Sequence, residues 1–152
     1  MKYVHTNIIS ENWKKLADFY IRVFECTAIM PERNLSGSWL DKGTGLKNVS
    51  LTGVHLKLPG YSKDGPTLEI FQYNKMIENG HQVANKKGLG HIAFHVDDVE
   101  ATLKKVGLFG GSAIGEILVK EITDLGILTF VYVADPEGNL IELQNWKYYD
   151  NR

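Results

Sequence analysis

Four residues of this chain have the types and spacing to hold a divalent cation: His5, Glu69, His91 and Glu142. Imidazole nitrogen combined with carboxylate oxygen suits Zn, Ni, Co, Fe or Mn better than it suits thiolate-seeking ions. Two neutral imidazoles and two carboxylates bring the net charge of such a site near zero. On an octahedral ion they leave two positions for water or for a chelating substrate.

The four residues come in a repeated frame. His5 lies in Val4-His5-Thr6-Asn7-Ile8-Ile9, and His91 in Gly90-His91-Ile92-Ala93-Phe94-His95-Val96; a helical run follows each. Each half then closes on a glutamate among apolar residues, Thr67-Leu68-Glu69-Ile70-Phe71-Gln72 and Leu140-Ile141-Glu142-Leu143-Gln144. Strand side chains alternate faces. Glu69 therefore projects away from Leu68 and Ile70, Glu142 away from Ile141 and Leu143, and His91 away from Ile92, Phe94 and Val96. One such glutamate alone is best explained as a solvent-facing residue of a half-exposed sheet. Two, each matched to a strand-start histidine, are not.

The other candidates have plainer explanations. His91 and His95 have the i, i+4 spacing of a helical metal pair, but the flanking Gly88 and Gly90 and the alternation read as strand. There the two histidines lie about 13 Å apart and cannot share an ion. His95 is read as a wall residue near the site, and His55 and His81 as surface or internally satisfied histidines. Cys26 follows an apolar helical run and reads as core. The glycines match no phosphate or dinucleotide loop, and no nucleophile elbow is present.

The elements that must position these residues follow from periodicity. Residues 3–9 read as a strand. Ser10 or Asn12 caps a helix whose stripe is Trp13, Leu16, Tyr20, Val23 and Phe24. Residues 28–31 look extended, 33–45 read as a polar loop, and 48–58 as one or two strands. Residues 67–73 close the first half. In the second half, residues 90–96 read as strand, followed by a helix capped by Asp97 or Asp98 with Val99, Leu103 and Val106 inward. Strands over 113–122 and 125–133, a turn at Asp135-Pro136-Glu137-Gly138-Asn139 and a last strand over 140–145 complete it. Both halves thus read β-α-β-β-β. The organisation is one domain over 1–152: module one at about 1–74, a connector at about 75–88, module two at about 89–146 and a tail at 147–152.

Composition sets the outer bounds. The chain has 152 residues, 43% hydrophobic and 23% charged, with 17 Lys plus Arg against 18 Asp plus Glu and a formal net charge of -1. That balance gives no field to attract nucleic acid or anionic lipid. The longest apolar run, residues 126–134, is too short to cross a bilayer, and the first residues lack an apolar signal core. The single cysteine cannot pair internally, which suits a reducing compartment. The expectation is a cytoplasmic protein with a small-molecule substrate and no nucleic acid or membrane partner.

Gly90-His91-Ile92-Ala93-Phe94-x-Val96-Asp97-Asp98 and Asp135-Pro136-Glu137-Gly138-Asn139-x-Ile141-Glu142-Leu143 resemble the vicinal oxygen chelate superfamily. It includes glyoxalase I, methylmalonyl-CoA epimerase, fosfomycin-resistance enzymes, bleomycin-binding proteins and extradiol dioxygenases. The resemblance covers nearly the whole chain. It implies an α+β fold in which two βαβββ modules form a cup-shaped, partly open β-barrel with a divalent metal in the cup. It also implies a homodimer, often with each site shared between chains.

Within that superfamily the order His, Glu, His, Glu is similar to glyoxalase I, with His5, Glu69, His91 and Glu142 as ligands. Epimerases commonly carry Gln at the second position, extradiol dioxygenases and fosfomycin enzymes use three ligands, and bleomycin-binding members have lost them. The implied reaction is a lyase or isomerase step: proton transfer next to a carbonyl of a vicinal-oxygen substrate through a metal-stabilised enediolate. Glu142 is the first candidate for the base and Glu69 the second. Ile9 stands where bacterial glyoxalase I commonly has an arginine for the glutathione carboxylate, which leaves the thiol open. The alternatives are a methylmalonyl-CoA epimerase-like isomerase, a ring-cleaving dioxygenase and a non-catalytic small-molecule-binding protein.

Overall fold

The computed structural model describes residues 1–78 and 80–150. They fall into two compact units, Met1–Asn79 and Gly80–Arg152, each of which opens strand–helix–strand, with a second short helix in the first unit only.

In the first unit, strand β1 (His5–Ile9) leads into helix α1 (Trp13–Phe24), followed by β2 (Thr27–Ser36), α2 (Ser38–Thr44), β3 (Ser50–Lys57) and β4 (Thr67–Tyr73). The chain turns from β1 into α1 at Ser10, which is fully buried. Its N–H donates to the Phe71 carbonyl at 2.8 Å, and its hydroxyl accepts from the Asn12 N–H at 3.1 Å. Asn12 then caps the helix, its Oδ1 accepting from the Lys15 N–H, a contact of the kind that stabilises a helix by about 1 kcal/mol. Leu16, Phe19 and Tyr20 on α1 and Leu56, Leu68 and Ile70 on the sheet are essentially inaccessible to solvent. At about 2 kcal/mol for each such side chain removed from water, this one face fixes the register of the unit. The strand order is β1-β4-β3-β2, with β1 parallel to β4 and the other pairs antiparallel.

The second unit repeats the plan: β5 (Ile92–His95), α3 (Val99–Leu108), β6 (Ser112–Ala113), β7 (Leu118–Ile122), β8 (Gly126–Ala134) and β9 (Leu140–Tyr148). Its order is β5-β9-β8-β6, with β7 also on β8, and β5 is parallel to β9. Asp98, not Asp97, caps α3, its Oδ1 accepting from the Ala101 N–H at 2.9 Å. α3 lies against β8 and β9, and Val99, Val106, Val131, Val133, Ile141 and Leu143 on these elements are all buried. The turn between β8 and β9 is held by buried Asp135, which accepts from the Glu137 and Asn139 N–H groups at 2.9 Å each and from Asn139 Nδ2 at 2.8 Å.

The edges depart from the sequence reading. Residues 33–36, read as loop, extend β2, and residues 38–44 form α2. Most of β2 is exposed and its pairing slips between Ile29 and Arg33, so no alternating pattern marks it. α2 buries only Leu40 and has no side-chain cap at its start, too little signal for a helix. The strand expected over 113–122 is two pieces. Between them, the N–H groups of Ile114 and Gly115 both turn to the Tyr132 carbonyl. β9 continues to Tyr148, past the expected start of the tail.

Candidate metal site

Packing α1 on one face of the first sheet leaves the opposite face to His5, Asn7 and Ile9 of β1, His55 of β3 and Glu69 of β4. Glu69 sits directly beside Asn7 in the parallel ladder and beside His55 in the antiparallel one. It is only 7% exposed, and burying a carboxylate costs several kcal/mol unless polar groups compensate. Here they do. His5 Nδ1 lies 3.3 Å and His55 Nε2 3.2 Å from Glu69 Oε1, and Asn7 Nδ2 donates to Oε2 at 3.3 Å. Burial holds the His55 imidazole below its usual pKa; Glu69 opposes this, and Arg33 and His5 reinforce it.

In the second sheet Glu142 sits beside Ala93 in the parallel ladder and beside Tyr132 in the antiparallel one. His91, one residue before β5, has its Nε2 3.1 Å from Glu142 Oε2. The Tyr132 ring meets the His91 ring edge to face, with centroids 5.0 Å apart. Burial, and then the negative charge of Glu142, push the Tyr132 hydroxyl above its ordinary pKa, so it stays protonated.

The correspondence between the units is residue by residue. In each, the histidine lies two positions before the residue that pairs with the glutamate: His5 before Asn7, and His91 before Ala93. All four sequence-nominated residues therefore occupy equivalent places, and each His contacts the Glu of its own unit. Among the described residues, no group of three or more His, Cys, Asp or Glu side chains is arranged to hold an ion as it stands. The donor set nonetheless fits a divalent ion. The first unit sets two imidazoles beside its carboxylate and the second sets one, and the Glu69 carboxylate has been drawn out of water into a polar cluster.

Sequence reasoning did not single out Asn7 or Tyr132, and of its two readings of His55, surface or internally satisfied, the structure supports the second, with Glu69 as the partner. The signal was parity. His55 is in phase with Gly53 and Lys57, opposite buried Val54 and Leu56, and so shares the face of Glu69. His95 pairs with Gln144, further along β5 than the Ala93–Glu142 pair, and is exposed; His81 is also exposed. Cys26 is buried, and burial pushes its thiol up to about 12.

An α+β chain that builds βαβββ twice, with a His–Glu pair at the same place in each sheet, belongs to a class of paired-module proteins. The chain belongs to the Glyoxalase/Bleomycin resistance protein/Dioxygenase superfamily, whose sequence model matches residues 2–143. Solved structures agree on the fold. A glyoxalase family protein from Bacillus cereus is 18% identical with a TM-score of 0.76, covering 96% of this chain and 93% of its own. A genomically encoded fosfomycin resistance protein from Listeria monocytogenes is 14% identical with a TM-score of 0.60, covering 97% and 91%. A glyoxalase/bleomycin resistance protein/dioxygenase from Alicyclobacillus acidocaldarius is 14% identical with a TM-score of 0.56, covering 99% and 94%. No curated protein matches the chain significantly. Among the described residues no helix is long and apolar enough to cross a membrane.

Proposed function

We propose that this protein is a metal-dependent lyase or isomerase of the glyoxalase I kind, moving a proton next to the carbonyl of a substrate with two adjacent oxygens. The observation that carries the reading is the repeated pair, His5 with Glu69 and His91 with Glu142, at equivalent register in the two units. These four residues are the candidate ligands for a divalent ion, drawn from Zn, Ni, Co, Mn or Fe. When bound, that ion supplies a Lewis acid for the two substrate oxygens. Glu142 takes the proton from the substrate carbon and returns it to the neighbouring one, and Glu69 is the second candidate for that role. The working unit is a homodimer in the cytoplasm.

Ile9 shares the strand face of His5 and Asn7 and is 47% exposed. An apolar side chain there offers nothing to a glutathione carboxylate. This favours a substrate without that tripeptide, such as an acyl-CoA epimer, as the second reading within the same chemistry.

The test is elemental analysis of the parent and of a His5→Ala, Glu142→Ala double variant, followed by solvent-deuterium incorporation into α-ketoaldehyde–thiol adducts and acyl-CoA epimers. About one divalent ion per chain in the parent, little in the variant, and chelator-sensitive exchange are expected. A parent that takes up no Ni, Co, Zn or Mn on reconstitution sinks the reading.

A further inference from the structure

The two carboxylates are not held alike. Glu69 has polar neighbours at both oxygens, His5 and His55 at Oε1 and Asn7 at Oε2. Among the described residues the one hydrogen-bond partner of Glu142 is His91. The residue across the ladder from Glu142, Tyr132, spends its contact on the His91 ring instead. Apart from the histidine of its own pair, Glu69 has His55 and Asn7 beside it, whereas Glu142 has no further hydrogen-bonding side chain among the described residues.

His55 is itself braced. Its ring lies 5.6 Å from that of Phe71. Phe71 packs against the small cluster of Leu40, Val49 and Leu51, and it fits because residue 53 has no side chain. A Cβ on Gly53 would meet the Ile70 carbonyl oxygen and the Phe71 ring. The His55 Nε2 stands 3.2 Å from Glu69 Oε1, while Asn7 Nδ2 donates to the other oxygen. Outer partners of this sort fix the direction of a metal ligand.

We propose that His55 is a positioning residue which, with Asn7, sets the direction of the Glu69 carboxylate as a metal ligand. This rests on the metal-site reading above and assigns His55 no direct bond to the ion.

The test is Co(II) titration of the parent, His55→Phe, His55→Gln and Asn7→Ala, followed by visible absorption and elemental analysis. His55→Phe should keep the parent's stoichiometry at saturation but lose about 10- to 100-fold in Co(II) affinity, with an altered visible band. His55→Gln, whose amide can still donate, should recover most of that loss, a rescue that a packing role alone does not give. Asn7→Ala should also weaken binding, and it carries the test with His55→Gln should His55→Phe not fold. Parental affinity and spectrum in His55→Phe, or in Asn7→Ala together with an unrescued His55→Gln, overturn the proposal. So does loss of stoichiometry in both His55 variants, which would make His55 a ligand. If the parent binds no Co(II), the function reading falls too; if it binds and His55→Phe is unchanged, only this inference falls.

Discussion

His55 and Tyr132 occupy the same place in the two units, each directly across an antiparallel ladder from the glutamate of its pair. The histidine reaches its glutamate, Nε2 to Oε1 at 3.2 Å. The tyrosine instead presents its ring to the histidine of its pair. The repeated frame thus carries one residue that contacts the carboxylate and one that contacts the imidazole.

Tyr132 should therefore act through its ring, not its hydroxyl. Tyr132→Phe is expected to bind metal within about threefold of the parent, because the edge-to-face contact survives. Tyr132→Ala removes that contact and should cost about tenfold in affinity. Isothermal titration with Co(II) decides the matter, and equal losses in the two variants would assign the role to the hydroxyl.

The unequal holding of the two carboxylates separates their variants. Glu142→Gln should retain metal within about tenfold of the parent while slowing solvent-deuterium incorporation at least about 100-fold. Glu69→Gln should lose metal first, because the amide would present a donor where Asn7 also donates and would remove the charge beside His55. Elemental analysis beside an exchange assay reads both. The reverse pattern, metal lost in Glu142→Gln and retained in Glu69→Gln, would exchange the roles.

Cys26 should behave as core. Its folded pKa of about 12 stands above the ordinary 9.0, so folding favours the thiol over the thiolate. The stability contributed is complete below about pH 9 and is lost as pH climbs toward about 12. Native protein at pH 8 should resist iodoacetamide and be fully alkylated in denaturant, and Cys26→Ala should flatten the alkaline limb of the stability curve. Rapid native alkylation would contradict this.

What could be read in the sequence was whatever obeyed a period. The stripe of α1 and the phase of Glu69 and Glu142 were legible because each element buries one face and exposes the other. β2 and α2 were not, since an exposed edge and a short helix burying only Leu40 leave no pattern. His55 was a subtler loss. Its phase was visible, but the neighbour that gives it meaning lies 14 residues on, and only the pairing of β3 with β4 shows that His55 faces Glu69.

Gly53 tests whether that neighbourhood is built or incidental. An added methyl would be driven into the Ile70 carbonyl oxygen and the Phe71 ring. Either the β3–β4 pairing opens or Phe71 swings away from His55. Overpacking of this kind costs about 1–3 kcal/mol, so Gly53→Ala should unfold at lower denaturant and also bind Co(II) more weakly than the parent. Gly43 is the control. It lies within α2, has nothing within 4 Å of an added Cβ, and its replacement by Ala should be neutral or stabilise by up to about 1 kcal/mol. Chemical denaturation of both variants, with and without Co(II), separates the effects. A Gly53→Ala protein as stable and as metal-avid as the parent would show that Phe71 does not brace the site.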